Sequence, residues 1–131
     1  MQSLSTTVVL YVNQGRCGQQ VWELIQRQNA HSQVEMYNTI DKLQGRLNQT
    51  NHSEVIAVLF ISNRLELEKI VGFADVLHDV KTILVLPDRE PDTISIGHTL
   101  YPRFISYADS DLQDVAAVLD KMMGLPLAYS N

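Results

Sequence analysis

Three stretches of the chain are continuous apolar runs rich in β-branched residues: Thr7 to Val12 (TVVLYV), Val55 to Ile61 (VIAVLFI) and Thr82 to Leu86 (TILVL). Runs of this kind, without polar alternation, read as strands buried on both faces. Two shorter runs differ. Gln33 to Tyr37 (QVEMY) alternates, and Arg103 to Tyr107 (RFISY) carries polar Ser106 among apolar neighbours, so both read as edge strands with one side partly wet.

Between these runs the apolar spacing changes from two to three and four. Cys17, Val21, Leu24 and Ile25 form one stripe of a first helix that ends near Asn29. Thr39 is the expected N-cap of a second, short helix carrying Ile40, Leu43 and Leu47, in which Gly45 costs about 1 kcal/mol relative to alanine. A third helix follows Asn63, and Leu67, Ile70, Val71, Ala74 and Leu77 predict one uninterrupted apolar face. The segment from Arg89 to Pro102 is expected to hold a short or distorted helix, because Pro91, Gly97 and the β-branched Thr93, Ile94 and Ile96 all weaken helix formation. In the last helix Ser110 and Gln113 make a capping-box pattern, and Leu112, Val115, Ala116, Leu119 and Met122 make the stripe. Gly124 and Pro126 supply the stop.

Strands that alternate with helices must pair in parallel, since each right-handed crossover has to be long enough to hold a helix. The prediction is a (βα)5 α/β fold, a flavodoxin-like three-layer sandwich. Its five-stranded parallel sheet takes the order 2-1-3-4-5, with the doubly buried strands inside and the two mixed strands at the edges. No linker or repeat interrupts the chain, so residues 1–131 read as a single domain with its core between about Leu4 and about Leu125 and a short tail beyond.

Composition narrows the function classes. The 131 residues are 45% hydrophobic and 19% charged, as in ordinary globular domains, and their length suits one core. The net charge is -5 and no Lys/Arg cluster occurs, which argues against nucleic acid as a partner. No apolar run approaches the about 20 residues needed to span a bilayer, so no membrane segment is expected. The single cysteine and an N-terminus without a basic-then-apolar pattern point to a reducing, cytoplasmic setting. His31, His52, His78 and His98 are scattered, with no His-x-x-x-His or paired-cysteine spacing, and neither a metal nor another cofactor is expected. No G-x-S-x-G elbow supports a serine hydrolase.

The length, the five βα units and the ending GHTLYPRFISYADSDLQDVAAVLDKMMG together resemble a response-regulator receiver domain of two-component signalling. Gly97, Tyr101 and the final helix fit that pattern, whereas Ser106 and Tyr107 stand where receivers carry Lys-Pro. The resemblance implies an acidic pair after the first strand and a phosphoacceptor aspartate after the third, which together hold Mg²⁺ through oxygen ligands. Here Asn13 and Gln14 follow the first strand, and Ser62, Asn63 and Arg64 follow the third. The hydroxyl residue expected after the fourth strand is replaced by Leu86-Pro87-Asp88. The resemblance is therefore to a degenerate pseudo-receiver, a non-enzymatic signalling module acting through protein contacts without aspartyl phosphorylation. In receivers the surface of the fourth helix, fifth strand and fifth helix mediates self-association. On that analogy Ile94, Ile96, Leu100, Tyr101 and Tyr107 are the expected interface, and a homodimer is the expected assembly; the competing reading has these side chains completing the core.

A 2-1-3-4-5 sheet places its ligand cleft at the carboxyl ends of the first and third strands. Asn13, Gln14, Gly15, Arg16, Ser62, Asn63, Arg64 and Asp88 are expected to surround it. Arg16 and Arg64 against Asp88, together with helix N-termini, favour an anion over a cation, so a small-anion or nucleotide sensor is the alternative function. A further alternative is a phosphotransfer protein using Cys17, whose thiol lies beside Arg16 near a helix start; packing of that thiol on the apolar stripe is the simpler reading.

Overall fold

The computed structural model describes residues 7–12, 20, 22–23, 33–48, 55–109 and 112–122. Its strands are β1 (Thr7–Val12), β2 (Gln33–Tyr37), β3 (Val55–Phe60), β4 (Lys81–Leu86) and β5 (Phe104–Tyr107). The helices, numbered here among the described residues, are α1 (Ile40–Leu47), α2 (Arg64–Val71), α3 (Ala74–Leu77), α4 (Pro91–His98) and α5 (Leu112–Met122). All strand pairs are parallel and the sheet order is β2-β1-β3-β4-β5, a flavodoxin-like α/β fold. The predicted first helix lies mostly outside the described residues, although Gln20, Trp22 and Glu23 are helical. Among the described residues no helix is long and apolar enough to cross a membrane.

The two-residue period of the strands divides the core into two layers. Val9, Tyr11, Ala57, Leu59, Leu84 and Leu86 face the side covered by α1, α2, α3 and α4. Their neighbours Val8, Leu10, Ile56, Val58, Ile83 and Val85 face Val115 and Leu119 of α5, with Trp22 packed alongside. Every residue of β3 is buried, as its central place requires, while β2 at the sheet edge has no fully buried residue among those described.

The predicted continuous third helix is corrected to two helices, α2 and α3, separated by Gly72 and Phe73. The Gly72 and Phe73 amides donate to the carbonyls of Lys69 (3.1 Å) and Ile70 (3.0 Å), closing α2 with tighter three-residue turns. Phe73 leaves helical geometry and drives its ring into the core, so the buried series runs Leu67, Ile70, Phe73, Leu77, while Val71 and Ala74 stay half-buried.

Of the short or distorted helix expected after Arg89, the short form is found: α4 spans eight residues and is regular. Pro91 occupies its first turn, where no intrahelical bond is lost and the fixed φ suits a helix start. Gly97 is the point of closest approach to the sheet: a Cβ there would stand 3.0 Å from Leu84 Cδ2 and 3.4 Å from Leu86 Cδ2. By contrast, a Cβ at Gly45 in α1 meets nothing within 4 Å. Gly45→Ala is therefore expected to raise the unfolding free energy by about 0.5–1 kcal/mol, measured by urea denaturation, with an unchanged m-value.

Candidate functional site

The expected strand-end residues divide into three groups. Asn13, Gln14, Gly15 and Arg16 lie outside the described residues, as does Cys17. Ser62 and Asn63 form the turn between β3 and α2, and Arg64 opens that helix. Asp88 lies in the turn between β4 and α4.

The residue that organises the β3 end is Glu66, a carboxylate only 5% exposed. Its Oε1 accepts from the Ser62 amide at 2.7 Å and its Oε2 accepts from the Tyr11 hydroxyl at 2.7 Å. Asn63 completes the arrangement, its Oδ1 accepting from the Glu66 amide at 2.9 Å. Asn63 and Glu66 thus behave as a capping box in which the glutamate reaches one residue further back than usual. Burial pushes the Tyr11 hydroxyl above its ordinary range, and the hydrogen bond to Glu66 and its negative charge act in the same direction. Sequence reasoning missed Glu66, though the Asn63-Arg64-Leu65-Glu66 spacing carries the capping-box signal already recognised at Ser110.

Arg64 turns toward the start of α4. Its Nη2 donates to the buried Thr93 hydroxyl at 3.4 Å, and its Nη1 lies 3.8 Å from Asp92 Oδ2. The Asp88 carboxylate accepts from the Glu90 amide at 3.0 Å, and that bond, with help from the Thr93 hydroxyl and the Arg64 charge, holds it below its usual range. At the end of β5, Arg89 lies over the Tyr107 ring, 4.1 Å from its centroid, and donates to Asp109 at 2.9 Å. That contact lowers the Asp109 carboxyl in turn.

The expected charge balance rests on Arg16, which lies outside the described residues, as well as on Arg64. Asp92 joins Asp88 near Arg64, so the Arg64 guanidinium faces two carboxylates among the described residues. Each helix start also carries its own acceptor, Asn63 Oδ1 for α2 and Asp88 for the turn into α4.

An open cleft of about 560 Å³ lies beside this region, between α1 and α2, and Tyr11, Asn63 and Glu66 are among its lining residues. A second, of about 410 Å³, lies where Pro87, Asp88 and Arg89 meet Ala108 and Asp109. Among the described residues no group of three or more His, Cys, Asp or Glu side chains is arranged to hold a metal ion.

The expected interface is corrected at Leu100, which is fully buried. The short α4 lies against the sheet, so this side chain completes the core and has no surface to offer a partner. Ile94, Ile96 and Tyr107 are half-buried and pack on the same cluster. Tyr101 alone of the five is exposed, at 69%, with φ 52° and its ring 4.5 Å from that of His78 in an edge-on contact.

The sheet order and the crossovers define the class of protein as a flavodoxin-like α/β domain. No family model matches the chain, and no curated protein sequence matches it.

Proposed function

We propose that this chain is a non-catalytic signalling module of the cytoplasm, a pseudo-receiver that works through protein contacts and without aspartyl phosphorylation. The observation that carries the reading is the engagement of Glu66 by Ser62 and Tyr11 at the end of β3. A phosphoacceptor carboxylate must present an oxygen to solvent, a metal and a phosphoryl donor. Glu66 is buried instead, and its oxygens hold together β1, the β3 turn and the first turn of α2. Ser62 and Asn63, at the β3 end, bring neutral side chains and use them or their backbone in the helix cap. Asp88, Arg64, Arg89 and Asp109 are likewise engaged with neighbours, which favours a scaffold over a reaction centre.

The test is titration of the protein with Mg²⁺ and beryllofluoride, followed by amide NMR shifts. No saturable change is expected at Ser62, Asn63 or Asp88. A saturable, Mg²⁺-dependent change at those amides overturns the proposal.

A further inference from the structure

The cleft between α1 and α2 carries opposite charges on opposite walls. Asp41 stands in the first turn of α1 and Lys69 in the last turn of α2, and both line the cleft. Both are exposed, and neither is in an ion pair among the described residues. Asn38 and Gln44 add amide groups that both donate and accept. Leu65, in the same wall as Lys69, leaves 62% of its surface in water, and Ile40 on the other wall is half-buried.

We propose that this cleft is a binding site for a small zwitterion, a free apolar α-amino acid. A simple anion gains from Lys69 and is repelled by Asp41 and by the Glu66 carboxylate, which also lines the cleft. A simple cation meets the reverse. A ligand carrying both signs on one carbon satisfies both walls: its ammonium pairs with Asp41, its carboxylate with Lys69, and its aliphatic side chain lies along Leu65. The volume of about 560 Å³ falls within the range of about 300–1,000 Å³ usual for small-molecule sites. Because the charges are solvated and the cleft is open, the affinity is weak, with a Kd of about 1 mM. The inference is separable from the pseudo-receiver reading, because the leucine titration contains neither Mg²⁺ nor beryllofluoride, although Asn63 lines this cleft too.

The full chain is titrated with L-leucine, N-acetyl-leucine and leucinamide, the last two each lacking one of the charges, while amide NMR shifts are recorded. Leucine is expected to give saturable shifts centred on Asp41, Gln44, Leu65 and Lys69. Either blocked analogue binds about tenfold more weakly, and Asp41→Asn or Lys69→Met weakens leucine by a similar factor. Absence of saturation up to the solubility of leucine overturns the inference. So do equal shifts from the blocked analogues, shifts centred outside the cleft, or unchanged binding by the two variants.

Discussion

Glu66→Ala is expected to lower the unfolding free energy by about 3 kcal/mol, read from urea denaturation. The substitution leaves the Ser62 amide and the Tyr11 hydroxyl without the acceptors they have at 2.7 Å. Each unsatisfied buried group costs about 1–3 kcal/mol, while the Asn63 cap is kept, because it accepts from the backbone amide of residue 66. A loss below about 1 kcal/mol would mean that water replaces the carboxylate at little cost. Glu66→Gln keeps a carbonyl for one of the two donors and is expected to lose less than alanine.

The same contact produces an alkaline limit to stability. The Tyr11 hydroxyl is raised above its ordinary value of 10.0, so the folded chain keeps its proton when the unfolded chain has begun to release it. The resulting stability is complete below about pH 10 and is lost as pH rises through the folded value, with a slope of up to about 1.4 kcal/mol per pH unit. Tyr37 is raised in the same direction by burial and by Glu35, and contributes in the same window. Tyr11→Phe is expected to flatten the alkaline limb of the stability curve without removing it. An alkaline limb identical in native and variant proteins would rule out Tyr11 as a source.

Leu84→Ala is expected to cost about 3 kcal/mol, as usual for a fully buried leucine replaced where the surroundings relax only in part. Gly97→Ala is expected to cost about 1 kcal/mol, because the added methyl presses on Leu84 Cδ2 and this outweighs the gain in helix propensity. The double variant should lose measurably less than the sum, since removing the Leu84 methyls creates room for the alanine. Strict additivity would show that α4 shifts as a body to accommodate the methyl.

These substitutions mark where the sequence is legible and where it is not. The strands are readable because a strand buried on both faces must be apolar at every position, and β3 has no polar residue at all. The edge strands are readable for the opposite reason, and together they fix the sheet order. Thr39 is legible as a cap because its hydroxyl acts locally, accepting from the Lys42 amide. The break at Gly72 is hidden by spacing that suits one long helix equally well, and only burial of Phe73 decides against it. Gly97 and Pro91 look like weaknesses of a helix when judged by propensity alone. One permits close packing on Leu84 and the other starts the helix, roles that depend on tertiary position.

Within the site, Ser62, Asn63, Arg64 and Asp88 are correctly placed at strand ends, because βα turns follow from the strand pattern. Their partners are not legible. Glu66 in a first helical turn reads as a solvated acid suited to the helix dipole, and it is Tyr11, 55 residues away in sequence, that helps to bury it.

The edge strand β2 has a further consequence for how the protein behaves at high concentration. An open strand edge is a template on which another chain can add its own backbone. Here Glu35, in the middle of β2, is held by Arg46 of α1 at 2.6 Å and accepts from the Tyr37 hydroxyl at 2.9 Å. A strand arriving from a second molecule would have to lie beside a fixed carboxylate and guanidinium, and would find only five residues to pair with. The charge network that ties α1 to the sheet margin therefore also disfavours fibril-like growth along β2.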